Sequence, residues 1–204
     1  MKFKNLFKPN VSYPTIIAGL GRCGTTILYR SLVPRRGMLR RFEGPDQIVT
    51  GVYKTHDRPP ESFNKTVKVV FLFGSPFEIV ISSHRMINEW GINHSYNLCS
   101  SRFKMNNSLF PEDTLELEKS FDLWYKKQSF PFMALRYETM WDSGILEELS
   151  DYLEIKVKLP EYRERKSLIK NHPYEMTIRE TYKSLALKID KARDVNYFYP
   201  IKNL

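Results

Sequence analysis

Tyr13-Pro-Thr-Ile-Ile-Ala-Gly-Leu-Gly-Arg-Cys-Gly-Thr-Thr-Ile-Leu-Tyr-Arg-Ser-Leu-Val33 decides the fold. Tyr13 to Ala18 is a short, β-branched apolar run, the composition of a strand covered on both faces. Gly19 to Gly24 is a glycine-rich turn, and Thr25 to Val33 repeats apolar residues at helical spacing before stopping at Pro34. Strand, loop and helix in that order place backbone N–H groups and a helix N-terminus together, an arrangement that holds anions. Gly19-Leu-Gly-Arg-Cys-Gly-Thr-Thr26 has the length of the phosphate-binding pattern G-x-x-x-x-G-K-[ST]. Its lysine is replaced by Thr25, and a cation stands three positions earlier as Arg22.

Working outward, Ile48 to Tyr53 and Val67 to Phe73 are the next strand candidates, the second almost continuously apolar. A helix is expected after Pro76, with Glu78 in its first turn. Residues 91–111 lack periodicity and are read as a mobile or substrate-facing segment. An amphipathic helix from Pro111 to about Gln128, a strand over Pro131–Tyr137, a helix over Asp142–Tyr152 and a last helix over Glu175–Ala192 follow. Alternation of this kind predicts an α/β domain with a parallel sheet, whose ligands bind beyond the carboxyl ends of the strands. A basic tail, 1–12, precedes that single domain, 13–204.

Composition narrows the function. With 42% hydrophobic and 14% aromatic residues in 204, the chain can bury a core, which excludes disorder as its main state. Cys23 and Cys99 have no partners at metal or framework spacing, so a reducing, cytoplasmic setting is expected, with no structural zinc. The basic N-terminus lacks the apolar run of a signal peptide, and no apolar stretch reaches the roughly 20 residues of a membrane span. A net charge of +9 favours anionic partners: nucleic acid, a membrane surface or a phosphorylated small molecule.

Gly21-Arg22-Cys23-Gly24-Thr25-Thr26 resembles the Pro-(Lys/Arg)-Ser-Gly-Thr-Thr loop of sulfotransferases, which binds the 5′-phosphosulfate of 3′-phosphoadenosine 5′-phosphosulfate (PAPS). Gly21 and Cys23 replace the usual Pro and Ser. Tyr53-Lys54-Thr55-His56 is similar to the family's Lys-Thr-His. Val67 to Ser82 is similar to the strand, Arg-(Asn/Asp)-Pro turn and helix around the 3′-phosphate. Leu135-Arg-Tyr-Glu-Thr-Met140 resembles its Tyr-Glu-Asp-Leu segment. The four matches run in the family's order over residues 13 to 155. The resemblance implies a three-layer, P-loop sulfotransferase-like domain, with helices flanking a parallel sheet. It implies PAPS as sulfuryl donor and no metal, with His56 as general base and Lys54 and Arg22 on the transferring group. It puts Gly21, Arg22, Cys23, Gly24, Thr25, Thr26, Ser82 and Tyr137 at the nucleotide. The arginine of the Arg-x-Pro turn is Gly74 here. Arg85, one turn beyond Ser82, is the candidate replacement. Arg163, Lys166 and Ser167 offer groups in place of the family's C-terminal basic loop.

Other readings stand beside this one. A P-loop kinase or nucleotide hydrolase would use the loop lysine and a metal-binding acid after Phe73, where the chain has Thr25 and Gly74-Ser75. A degenerate nucleotide-binding module without catalysis fits the loss at Gly74, and a basic nucleic-acid binder, not expected, fits the charge. Should His56 not be the base, Glu43 and Asp57 are next. Arg35, Arg36, Arg40 and Arg41 read as a solvated loop, with an anionic acceptor as the other possibility. His84, His94 and His172 have no metal spacing. The acceptor is open, a carbohydrate or small alcohol being the expectation, and aromatics between 90 and 130 are its candidate lining.

Overall fold

The computed structural model describes residues 12–33, 40–90, 110–126, 128–164 and 169–199. The expected tail up to residue 11, Arg35, Arg36, His94, Cys99, Lys166, Ser167 and all of 91–109 lie outside the described residues.

Among the described residues five strands form one sheet: β1 (Thr15–Gly19), β2 (Val52–Thr55), β3 (Lys68–Phe73), β4 (Phe132–Arg136) and β5 (Val195–Phe198), in the order β2-β1-β3-β4-β5. β1 is buried along its whole length and β3 along all but its first residue, which is why both read as unbroken apolar runs. β1 pairs in parallel with β2, Ile16 opposite Tyr53, and with β3, Ile17 opposite Val70; β3 pairs in parallel with β4. β5 runs antiparallel on β4, with Met133 opposite Tyr197, so the sheet is mixed and the expectation of a parallel sheet is corrected. Arg136, at the carboxyl end of β4, explains the reversal. Its Nη2 donates to the Ile189 and Ala192 carbonyls at 2.6 and 2.8 Å, and its Nε lies 2.7 Å from the Asp194 carboxylate. The preceding helix therefore ends at the carboxyl edge of the sheet, and a strand starting there must run back.

Among the described residues six α-helices accompany the sheet: α1 (Thr25–Leu32), α2 (Pro76–Trp90), α3 (Leu117–Trp124), α4 (Ser143–Leu153), α5 (Glu175–Thr181) and α6 (Lys183–Lys191). The expected helix over Pro111–Gln128 is shorter at both ends. Asp113 accepts the Leu117 and Glu118 N–H groups at 2.9 Å, and Glu116, at φ 50°, sets the first turn only afterwards. The expected last helix is two helices, broken at buried Tyr182, which leaves helical geometry at ψ 12° while its hydroxyl donates to the Glu112 carbonyl. The strand read over Ile48–Tyr53 starts only at Val52. Residues 49–53 close a loop in which the Tyr53 hydroxyl bonds both the Val49 N–H and carbonyl at 3.0 Å. Trp124 stacks on Phe71 at 5.3 Å and Phe198 on Phe132 at 4.5 Å, tying α3 and β5 to the sheet core. Among the described residues no helix is long and apolar enough to cross a membrane.

Because β1 to β4 share one direction, Gly19, Thr55, Phe73 and Arg136 all end at one edge. From β1 the chain leaves through α1 to β2 on one side, then returns through β3 on the other. The connections diverge between β1 and β3, the switch point where crevices open in such sheets.

Candidate functional site

The loop Gly19–Thr26 lies at that switch point. Leu20 N–H donates to the Leu72 carbonyl at 3.0 Å, extending β1 along β3 for one residue before the turn. A Cβ at Gly19 would stand 2.7 Å from the Leu72 carbonyl oxygen and from the Thr25 methyl, so only glycine lets loop and strand approach this closely. Arg22 and Gly24 are left-handed, at φ 66° and 75°. Against Gly24 lies the Tyr137 ring, whose Cδ2 would be 2.5 Å from an added Cβ. Tyr137 is thus the floor of the loop, and Gly21 and Cys23 are buried within it.

Of the two threonines, Thr25 is buried against Gly19, while Thr26 faces the open side and accepts a hydrogen bond from Lys54 Nζ at 2.8 Å. Arg22 Nε donates to Ser82 Oγ at 2.9 Å, linking the loop to α2 across the switch point. Burial, followed by the guanidiniums of Arg22, Arg41 and Arg30, pushes the Lys54 ammonium down to about 8. Cations gathered at a helix N-terminus that has no side-chain cap and no acidic residue in its first turn are arranged to receive an anion.

His56 follows β2 directly. Its Nδ1 lies 2.7 Å from the Gly19 carbonyl, an acceptor only, so Nδ1 carries the proton and Nε2 keeps its lone pair. Burial first, then the Lys54 charge, pushes the imidazole down to about 4; the Gly19 bond and Asp57 oppose this, and Arg41 adds to it. The residues after His56 are fixed in turn. Asp57 Oδ2 accepts from the Thr55 hydroxyl at 2.9 Å, and the Asp57 carbonyl accepts the Trp124 indole N–H at 2.9 Å. A neutral imidazole held in one tautomer beside an anion-receiving loop can take a proton from a neighbouring hydroxyl.

The β3 side is built differently. Gly74 precedes α2, and a Cβ there would lie 2.7 Å from Glu138 Oε1, the same oxygen that accepts the Ser75 N–H at 3.0 Å. Where the resemblance implies an arginine, the chain presents a carboxylate from the segment after β4. Arg85, the candidate replacement, has Glu89 as its ion-pair partner among the described residues, 3.6 Å away along the same helix. Ser82 contacts Arg22 rather than Arg85. Arg163 is exposed beyond α4, and Lys166 and Ser167 fall outside the described residues.

Glu138 as a partner of Gly74 was not read from the sequence. A glycine two residues before a helix start, in a turn where a residue with a side chain is ordinary, was the available signal of a close approach. Among the described residues no group of three or more His, Cys, Asp or Glu gathers as metal ligands would. No protein-family model, curated protein or solved structure matches the chain.

Proposed function

We propose that this protein is a sulfotransferase that moves a sulfuryl group from PAPS to an acceptor hydroxyl or amine, on a three-layer P-loop scaffold. One observation carries the choice: the Lys54 ammonium sits 2.8 Å from the Thr26 hydroxyl. In the pattern G-x-x-x-x-G-K-[ST] that hydroxyl is the one a nucleotide hydrolase gives to Mg²⁺. A fixed ammonium in its place suits a donor whose leaving group is stabilised by side chains.

In this reading the acceptor gives its proton to Nε2 of His56, and its oxygen or nitrogen forms a new bond to sulfur in line. The bond between sulfur and the 5′-phosphate oxygen breaks, and the electron pair stays on that oxygen, where Arg22 and Lys54 hold the charge. Ser82 positions Arg22, and Tyr137 positions the loop through Gly24.

The loop fits a 5′-phosphosulfate well, whereas the start of α2 fits a 3′-phosphate poorly, since Glu138 stands where a cation is needed. That observation favours a second reading, a nucleotide-binding module that has lost turnover. The test is a calorimetric titration with 3′-phosphoadenosine 5′-phosphate (PAP) beside ADP and ATP with Mg²⁺, followed by a transfer assay with ³⁵S-labelled PAPS. Metal-independent binding of PAP and transfer of label to any acceptor are expected. Binding without transfer across an acceptor panel moves the protein to the second reading, and ATP binding that requires Mg²⁺ overturns both.

A further inference from the structure

His56 stands one residue past the end of β2, where the chain leaves the sheet. A side chain in that place has the strand ladder behind it and none ahead, so its position depends on what holds the next peptide. Asp57 supplies part of the hold from within the turn. Its carboxylate accepts from the Thr55 hydroxyl and its N–H donates back to the same oxygen, both at 2.9 Å. Such local bonds move with the turn. The Asp57 carbonyl is held differently, because its donor is the Trp124 indole, 67 residues away on α3, at 2.9 Å. Arg58, 3.5 Å from Glu116 at the start of α3, ties the same turn to the same helix, but as an exposed pair it is the weaker tether.

Trp124 has one orientation available to it. It is 2% exposed, stacks on Phe71 with centroids 5.3 Å apart and planes 9° apart, and meets the Phe130 and Phe132 rings edge-on at 6.4 and 6.2 Å. Its N–H is therefore aimed by the core. In the sheet register Phe71 lies opposite Ala18 and Ala18 opposite Thr55. Register partners in a parallel sheet share a face, so the ring that carries Trp124 and the last side chain of β2 lie on one face, with only the Ala18 methyl in the row between them. The imidazole is referenced to the same body: its Nδ1 bonds the Gly19 carbonyl, at the end of β1, and Gly19 pairs with Leu72 of β3. Ring and main chain of His56 are thus fixed separately against the β1–β3 core. Asp57 itself is exposed, so water can satisfy its carbonyl if the indole N–H is lost. The bond from Trp124 contributes position more than stability.

We infer that Trp124 is a positioning residue for His56: by fixing the Asp57 carbonyl against the core, it keeps the Nδ1 proton on Gly19 and leaves Nε2 as the atom that receives the acceptor's proton. The inference rests on the sulfuryl-transfer reading, in which His56 is the base, and adds to it a residue that touches neither donor nor acceptor.

The test compares Trp124→Phe, which keeps a ring on Phe71 and deletes the N–H, with the unaltered full chain. Long-range ¹H–¹⁵N spectra at pH 7 report the His56 tautomer without any acceptor. One tautomer, protonated at Nδ1, is expected in the unaltered chain, and a mixture of the two in the variant. In the transfer assay with ³⁵S-labelled PAPS, kcat should fall roughly 10- to 100-fold, the scale of a misplaced reacting group. KM for PAPS and the calorimetric affinity for PAP should stay within about twofold, because Trp124 acts through His56 alone. For the same reason His56→Gln combined with Trp124→Phe should turn over no more slowly than His56→Gln by itself. Site-specific replacement of Trp124 by benzothienylalanine, which has sulfur in place of the N–H and the same outline, gives the same readings should Trp124→Phe fail to fold. An unmoved tautomer overturns the inference and leaves the sulfuryl-transfer reading intact. So does a parallel loss of kcat and PAP affinity, or additive losses in the double variant, either of which would make Trp124 a core residue only. Absence of label transfer to every acceptor tried overturns the underlying reading, and the inference with it.

Discussion

Two helix N-termini meet at the switch point of the sheet, and they are finished in opposite ways. α1 begins after Gly24 with no side-chain cap and no acid in its first turn, and Lys54 and Arg22 bind to groups within reach of it. α2 begins with Ser75 N–H already bonded to the Glu138 carboxylate and Glu78 in its first turn. Both ends carry the same partial positive charge from the helix dipole. At α2 the fold supplies the compensating anion itself; at α1 it adds cations. A protein stabilises like charges at an uncapped helix end only at a cost to its fold, and a ligand anion offsets that cost. On the proposed reading the ligand belongs to the β1–β2 side of the site, and any contact it makes with the β3–β4 side must contend with Glu138.

Removing the proposed base, His56, is the sharpest way to break this comparison, because it leaves both helix ends as they are. His56→Gln keeps a side-chain donor for the Gly19 carbonyl while deleting the Nε2 lone pair. Turnover is expected to fall about 10²–10⁴-fold, the usual contribution of a general base. PAP affinity measured by calorimetry should stay within a few-fold. Unchanged turnover would transfer the role to Asp57 or Glu43.

The titrations of Lys54 and His56 sharpen the comparison next. With His56 at about 4 and Lys54 at about 8 in the free protein, kcat/KM should be flat between these values, falling below about pH 4 and above about pH 8. Lys54→Met removes the cation that the upper limb reports. Donor affinity should then drop roughly 10- to 100-fold, matching about 1.5–3 kcal/mol for a charge-assisted hydrogen bond. Stability moves the other way. The Lys54 ammonium is less comfortable folded than unfolded, so its replacement by an uncharged side chain should raise Tm at pH 7. The sign for His56 follows from the same linkage. The unfolded chain binds a proton near the ordinary 6.5 and the folded one only near 4, so stability is lost on acidification through that window. A Tm that is flat from pH 6.5 to 4 would mean that His56 is not held neutral in the fold.

Much of this side of the site was legible in the sequence, for a physical reason. A buried strand, a glycine loop and a helix start form a local unit, so Gly19, Arg22, Gly24 and Thr26 are placed by neighbours in the chain. Lys54 and His56 arrive next to them because β2 pairs with β1 over Thr15–Ala18, and the carboxyl end of a buried parallel strand has one place to go. What could not be read depends on distant pairings. Arg136 looked like one more strand residue, yet it fastens the last helix 53 residues away and thereby reverses β5. Tyr182 breaks a periodic helix because its hydroxyl has a partner 70 residues earlier. Glu138 meets Gly74 only because β3 and β4 are adjacent. None of these leaves a trace in local periodicity.

The smallest predicted effect concerns Glu138, and it tests whether the α2 end is truly closed to ligand charge. Glu138 is exposed, so its repulsion of a bound phosphate is screened by water and salt. Glu138→Gln keeps an oxygen able to accept the Ser75 N–H while removing the charge. PAP should bind about 2- to 5-fold more tightly to the variant, a gain of roughly 0.5–1 kcal/mol typical of exposed charge interactions. AMP, which lacks the 3′-phosphate, should bind both proteins alike. The ratio of the two affinities, measured by calorimetry at low and at physiological salt, isolates the term, since screening shrinks the PAP gain and leaves AMP untouched. If AMP gains as much as PAP, the carboxylate acts on the whole nucleotide, and the contrast between the two helix ends is one of overall charge and not of separate subsites.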